Sequence, residues 1–171
     1  DTLFIGGTNG VINSSSIYGG SATLTESTGN DLISIQASIT NSLVNSGDGA
    51  DTINISGTVN NSTISGAESV QLAAVTSTSL NGGSGADTIT ITGRFGASTI
   101  DGLAGNDSVT LQSTAVTSSV EGGAGNDTLS LQNLDRSSVG GGAGNDSITL
   151  VNSTSSSILL GEGIDTLYVS G

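Results

Sequence analysis

A glycine-rich turn that returns at a nearly constant interval constrains this sequence more than any other feature. Its clearest copy, residues 122–127, reads Gly-Gly-Ala-Gly-Asn-Asp and is followed by the alternating segment Thr-Leu-Ser-Leu. From Asp31 onward, acidic residues in phase with this turn lie 19 or 20 residues apart, except for one step of 17 residues that ends at Glu68; Asp1 begins the same strand pattern further upstream. A period in this range is typical of stacked repeats. The aspartates in phase are Asp31, Asp51, Asp87, Asp107, Asp127, Asp146 and Asp165.

Apolar residues keep the same phase and predict the strands. Isoleucine, leucine or valine stands two and four residues after every phase point, and the residues between are mostly polar. Such alternation indicates a strand with one buried face. The first column is Leu3, Ile33, Ile53, Val70, Ile89, Val109, Leu129, Ile148 and Leu167. The second is Ile5, Ile35, Ile55, Leu72, Ile91, Leu111, Leu131, Leu150 and Val169.

A second strand is expected about half a repeat away from the first. Its apolar column is Leu24, Val44, Ile64, Leu80, Ile100, Val120, Val139 and Ile158. Two residues earlier come hydroxyl side chains that should also point inward and stack as a ladder: Ser42, Ser62, Thr78, Ser98, Ser118, Ser137 and Ser156. A weaker apolar column lies between the two strands and needs one-residue shifts to align: Ile39, Val59, Val75, Phe95, Ala115 and Leu134.

These patterns predict an all-β fold, a right-handed parallel β-roll or β-solenoid with about nine coils of ~19–20 residues and two short strands per coil. Each strand would pair in parallel with its copy in the next coil, ~4.8 Å away. Residues 1–171 are expected to form one repeat array, with an irregular coil over 6–30 and a shortened turn at 65–69. We expect the chain to be a segment of a longer solenoid or of one that polymerises.

The composition narrows the classes of function. Fifteen acidic residues face two basic ones, Arg94 and Arg136, and the net charge of −13 disfavours nucleic acid and anionic membranes as partners. Cysteine and histidine are absent, which argues against disulfides and against zinc or copper sites. Lysine is absent as well, so a nucleophile with a matching base is not expected, and we predict no enzymatic activity. The chain has no long apolar run, so no membrane insertion is expected.

Stacking the turns would place the in-phase carboxylates in one column, where neighbours ~4.8 Å apart repel by about 3.5 kcal/mol at an effective dielectric of 20. A hard cation would turn this repulsion into attraction, and glycine turns offer free backbone carbonyls beside the carboxylates. Because only oxygen ligands are available, Ca²⁺ is the best match. An alternative is a metal-free ladder in which carboxyl groups are protonated or cap backbone amides. The predicted ligands are the seven aspartates named above and turn carbonyls near Gly83, Gly85, Gly105, Gly123, Gly125, Gly142, Gly144 and Gly163.

The turn resembles the nonapeptide Gly-Gly-x-Gly-x-Asp-x-U-x, in which U is apolar, of the RTX (hemolysin-type) calcium-binding β-rolls. Residues 122–130 and 141–149 match it at every specified position, whereas the Asp107 copy has Leu103 at the second glycine. The resemblance implies that calcium ions lie between the turns of neighbouring coils. Ordinary RTX rolls carry the motif twice per coil, but here serine takes the place of aspartate in the second half-repeat. The resemblance is therefore to single-edge repeats of giant bacterial adhesins and surface proteins, including a calcium-dependent ice-binding region.

Three functions follow as expectations. The first is a calcium-stabilised structural segment of an extracellular bacterial surface, filament, S-layer or adhesin protein that stacks end to end or continues as a longer chain. Calcium is abundant outside cells, so such a segment would fold after export. The second is a calcium-binding secretion and folding module of a secreted enzyme or toxin. The third is an ice-binding solenoid, although Phe4, Gln71 and Tyr168 interrupt its flat face. Its outward hydroxyls are Thr88, Thr90, Ser108, Thr110, Thr128, Ser130, Ser147 and Thr149.

Overall fold

The computed structural model describes residues 2–5, 11–13, 16–18 and 29–171, and within them it contains strands and no helix. A helix of the length and apolarity needed to cross a membrane is accordingly not found in these residues. The strands, in chain order, are β1 (Thr2–Ile5), β2 (Val11–Asn13), β3 (Ser16–Tyr18), β4 (Leu32–Ile35), β5 (Ser38–Thr40), β6 (Leu43–Asn45), β7 (Thr52–Asn60), β8 (Thr63–Ser65), β9 (Ser69–Thr76), β10 (Ser79–Gly83), β11 (Thr88–Ile91), β12 (Phe95–Gly96), β13 (Thr99–Leu103), β14 (Ser108–Val116), β15 (Ser119–Ala124), β16 (Thr128–Asp135), β17 (Ser138–Ala143), β18 (Ser147–Thr154), β19 (Ser157–Glu162) and β20 (Thr166–Val169).

The strands form two parallel sheets that enclose one apolar core. The first sheet follows the order β1-β4-β7-β9-β11-β14-β16-β18-β20, and the second follows β3-β6-β8-β10-β13-β15-β17-β19. Neighbours in each sheet are one repeat apart in sequence, so the chain winds as stacked coils with seven complete turns between Asp31 and Asp165. The predicted all-β solenoid with two main strands per coil is confirmed. The first sheet has 12 strands, of which β2, β5 and β12 lie off this path, and the nine strands along the path correspond to the nine rungs expected from the sequence.

The register confirms the predicted apolar columns. Leu129 pairs with Val109 in the preceding coil and with Ile148 in the following one, and the second column behaves in the same way. Both columns are almost fully buried from Ile33 to Leu150. One assignment was wrong: Leu24 lies outside the described residues, and the residue in register with Val44 is Ile17. Extra residues lie between this strand and Asp31, so the spacing of seven residues between the apolar position and the aspartate, which holds in most later coils, does not hold here.

The weaker apolar column forms a third side of the coil. Its members are buried, and Phe95 is the largest side chain in the core. The strands β7 and β14 turn a corner to reach this side, and the pairing shifts register at that corner, between Ile55 and Thr58 and between Leu111 and Thr114. The one-residue shifts noted in the sequence therefore lie at this bend. In the last coil the same position holds an exposed serine, Ser153, which pairs with Leu134.

The predicted hydroxyl ladder is present at the corner that leads into the second sheet. The backbone N–H of Ser98, for example, donates to Ser118 Oγ over 3.3 Å, and Ser98 Oγ donates to the Gly96 carbonyl over 2.8 Å. The same pair of bonds recurs along the stack. The residue before each ladder member has a left-handed φ near +50°, including Ala97 and Thr117. The inward hydroxyls are thus satisfied without water or charge.

Two places were expected to interrupt the array. Within 6–30, β2 and β3 pair in register with β5 and β6, and of the other residues in that region only Gly29 and Asn30 belong to the described part of the chain. At the second place, β8 ends at Ser65 and β9 begins at Ser69, so the turn is short as predicted. A cleft of about 440 Å³ lies beside this turn, which is three residues shorter than the turn of the preceding coil. It is lined by Gly47, Asp48, Gly49, Gly66, Glu68, Gly82, Gly83 and Ser84.

Candidate metal site in the glycine turns

The glycine turns carry the chain from the second sheet back to the first and place each aspartate just before a first-sheet strand. We number the six turn residues one to six, with aspartate at six. Residues two and four have left-handed φ values, such as +112° at Gly123 and +137° at Gly125. A Cβ at Gly125 would also overlap the Gly105 carbonyl of the coil before it. These glycines are therefore needed both for backbone conformation and for close stacking of the turns.

The aspartate side chains point into the solenoid and are tied to one another through the backbone. One carboxylate oxygen, Oδ1, accepts the N–H of the aspartate one coil earlier over 2.7–2.9 Å. At the shortened turn, Glu68 Oε2 accepts the Asp51 N–H at 2.5 Å. Because glutamate is one methylene longer, it reaches the same amide from a turn that is three residues shorter. One oxygen of each of these carboxylates therefore caps a backbone amide, which is an arrangement that the metal-free alternative also includes.

The other carboxylate oxygen has no partner. The Oδ2 atoms of Asp51, Asp87, Asp107, Asp127 and Asp146 are buried and accept no hydrogen bond. These side chains are only 1–2% exposed. A buried carboxylate oxygen without a donor is costly, since water has been removed and nothing replaces it. A proton or a cation at Oδ2 would remove this cost.

Four of these oxygens face a small space that only glycine leaves open. A Cβ at Gly82, Gly102, Gly122 or Gly141, the first residue of the turn, would overlap Oδ2 of the aspartate in the same turn. The same Cβ would press against the carbonyl oxygen of the first turn residue in the next coil. We call this space the cradle. Its oxygen pairs are Asp87 Oδ2 with the Gly102 carbonyl, Asp107 Oδ2 with Gly122, Asp127 Oδ2 with Gly141, and Asp146 Oδ2 with Leu160.

Burial raises the pKa of three of these carboxyl groups, those of Asp87, Asp107 and Asp127. The pKa of Asp87 rises from 3.8 to about 7, because burial removes its water and because Asp107 and Glu68 place negative charge nearby. The pKa of Asp107 is also raised, chiefly by burial, although its hydrogen bond from the Asp87 amide acts in the opposite direction. The pKa of Asp127 shows the same balance, with Asp107 and Asp146 as its charged neighbours. The turns therefore attract positive charge, either as protons or as a metal ion.

The structure brings most of the predicted ligands together along one edge, and the carbonyls nearest to Oδ2 are not those of the predicted glycines. Carbonyls of the predicted glycines, such as Gly105 and Gly125, point along the stack at the glycine of the next turn. The carbonyls beside Oδ2 belong instead to the first turn residues named above, which the sequence analysis did not single out. The repeated absence of a side chain at that position was the available signal. Asp165 is half-buried, and its Oδ1 accepts the Asp146 amide.

The chemistry of the cradle suits a hard cation that takes backbone ligands. In the described part of the chain no three acidic side chains converge on one point, so an ion would draw on one or two carboxylates, carbonyls and water. An ion pair found in the same part, Arg136 with Asp135 at 3.0 Å, lies on the surface and not in the turns. Arg136 therefore does not neutralise the column of turn aspartates.

Compared with protein-family models, with curated proteins and with solved structures, the chain matches none of them.

Proposed function

We propose that this chain is a calcium-stabilised structural segment of an extracellular bacterial surface, filament, S-layer or adhesin protein, built on a single-edge variant of RTX-like repeats. The observation that carries the proposal is the row of buried Oδ2 atoms without partners, each beside a backbone carbonyl in the four open cradles. A cation held between these oxygens would satisfy both. Calcium fits best because it accepts oxygen ligands of mixed kind and tolerates irregular geometry, whereas magnesium demands a tight octahedron.

The proposal makes folding depend on where calcium is available. Without a cation, the buried carboxylates repel one another and have lost their hydration. Both effects lower the stability of the folded chain. A ligand that binds only the folded state stabilises it in proportion to the logarithm of its concentration. At the low calcium concentration inside a cell the chain would stay largely unfolded, and export would fold it.

End-to-end association is part of the same proposal. The last rung presents one unpaired edge of each sheet, formed by β19 and β20. Leu167 and Val169 occupy inward positions in this rung yet are 40% and 46% exposed, and Tyr168 beside them is 60% exposed. Unpaired edges with apolar side chains accept further strands readily. A further coil of the same phase, from this polypeptide or from another copy, would cover this surface.

The test is a comparison of the chain with and without calcium. We expect far-ultraviolet circular dichroism in a calcium-free chelating buffer to show largely unfolded chain, and addition of CaCl₂ to restore the β-sheet signal where equal MgCl₂ does not. Light scattering on the same samples should show larger particles only with calcium. A chain that is fully folded and equally associated in the chelating buffer would overturn the proposal. A calcium-dependent folding module of a secreted enzyme or toxin would use the same cradles and therefore shares this test.

Ice binding is a second candidate, favoured by the register of the outward hydroxyls on the first sheet. Thr110 pairs with Thr90 before it and Ser130 after it, so the hydroxyls form straight rows along β11, β14, β16 and β18. These outward positions carry no charge, although the whole chain carries −13. Thermal hysteresis that disappears in Thr110→Lys would support this candidate, and normal freezing of the calcium-loaded wild-type chain would reject it.

A further inference from the structure

We propose that the first residue of each turn decides whether that coil holds an ion, so that the turns from Asp51 to Asp165 bind four calcium ions and not one for each aspartate. This inference rests on the proposed function, since it concerns which turns bind the cation. Its basis is that the aspartates are alike in their backbone bonds but differ in the space in front of Oδ2.

Four turns have an open cradle. Gly82, Gly102, Gly122 and Gly141 do not adopt a left-handed φ, so any residue could take their backbone conformation. Only the contact that a Cβ would make with Oδ2 and with the neighbouring carbonyl requires glycine there. The space that these glycines preserve is thus a property of the site and not of the turn conformation.

Ser46 fills the corresponding place in the Asp51 turn. It is the first residue of that turn, five positions before the aspartate, as Gly122 is before Asp127. Its side chain is completely buried, and neither its Oγ nor Asp51 Oδ2 has a hydrogen-bond partner. In the four glycine turns, a side chain at this position would enter the cradle. By analogy with those turns, the Ser46 side chain takes the space that an ion would need, although its hydroxyl makes no hydrogen bond to Asp51 Oδ2.

Leu160 fills the place in the Asp165 turn. Its side chain is partly buried and packs against the apolar core, so this cradle is closed by hydrocarbon. The Leu160 carbonyl still faces Asp146 Oδ2 in the preceding turn. Asp165 then serves the stack through Oδ1, which accepts the Asp146 amide at 2.9 Å, without an ion of its own.

The number of bound ions tests this inference directly. We would measure calcium stoichiometry by native mass spectrometry and isothermal titration calorimetry on the full chain. The wild type should bind four ions in the turns from Asp51 to Asp165, matching their four cradle glycines. Ser46→Gly removes the buried side chain at the first position of the Asp51 turn, where Asp51 Oδ2 has no partner, and should gain one ion. Gly141→Ser closes the Asp146 cradle and should lose one.

The matched control is Gly140→Ser on the same strand. A Cβ at Gly140 would meet only the far end of the Glu121 side chain, which is exposed and able to move. The atoms nearest to this Cβ do not include any of Asp146. This variant should keep the wild-type count. If Gly141→Ser does not fold, the inference is tested by whether Ser46→Gly binds one more calcium ion than the wild type. Wild-type binding with unchanged counts in Ser46→Gly overturns the inference and leaves the proposed function standing, whereas a wild type that binds no calcium overturns both.

Discussion

Asp87→Asn should change the stability of the chain in opposite directions with and without calcium. The substituted side chain would keep the shape of aspartate but lose its charge, and its amide could donate to the Gly102 carbonyl across the cradle. In calcium-free buffer the substitution removes a buried charge close to Asp107 and Glu68. With calcium it removes a ligand. The same change is therefore stabilising in one buffer and destabilising in the other.

The size of the effect follows from the shifted pKa of Asp87. Its rise from 3.8 to about 7 means that, above neutral pH, ionisation opposes folding. At about 1.4 kcal/mol per pKa unit this amounts to ~4 kcal/mol at most, so we expect a gain of about 2–4 kcal/mol. In saturating calcium we expect a loss of about 2–3 kcal/mol, the stabilisation that one ion gives at roughly a hundred times its dissociation constant.

The pH dependence has a defined sign. A carboxyl group with a raised pKa binds more protons in the folded state, so its favourable contribution is complete below pH 3.8 and is lost as the pH rises through about 7. The calcium-free wild type should therefore be more stable at pH 5 than at pH 8. Asp87→Asn should flatten part of this slope.

Circular dichroism measures all of these quantities: urea unfolding gives the stabilities in saturating calcium, and the folded fraction without urea compares the variants in calcium-free buffer at pH 5 and pH 8, where the wild type is expected to be largely unfolded at the higher pH. Glu121→Gln is the control, because this carboxylate is exposed on the second sheet and should matter little in any condition. The reasoning fails if Asp87→Asn is less stable than the wild type in calcium-free buffer at pH 8, because burial of the charge would then not be the dominant cost.

Three further predictions concern the frame that holds the turns, each measured by urea unfolding in calcium. Thr117 has a left-handed φ of 51°. Thr117→Asn should stabilise the chain by about 1 kcal/mol, since asparagine tolerates this conformation better than a β-branched residue. A lower stability of this variant would show that Thr117 is not strained. Ser118→Ala removes the acceptor of the Ser98 amide and should cost about 1–3 kcal/mol, whereas an unchanged midpoint would mean that water replaces the hydroxyl. Phe95→Ala should cost about 3–5 kcal/mol, because Phe95 is fully buried on the third side of the coil; a cost below ~1 kcal/mol would show that the coil collapses around the cavity.

Much of the fold could be predicted from the sequence because its information is periodic. Alternation fixes which side of a strand is buried, and the interval between aspartates fixes which residues pair in the next coil, as Leu129 pairs with Val109. The hydroxyl ladder followed from the same rule. Counting failed only where the period changes: Ile17, not Leu24, stands in register with Val44 because extra residues precede Asp31.

What the sequence determined by itself is therefore the stack: parallel strands, one acidic edge, and a short turn at Glu68. The tertiary structure decided how each carboxylate divides its two oxygens, with Oδ1 on an amide one coil away and Oδ2 left facing a carbonyl one coil further on. It also showed that Glu68 spans its shorter turn to hold the Asp51 amide. These contacts join residues that lie 14 to 20 positions apart in the chain, and their distances depend on the pitch and tilt of the coils, which no local pattern encodes.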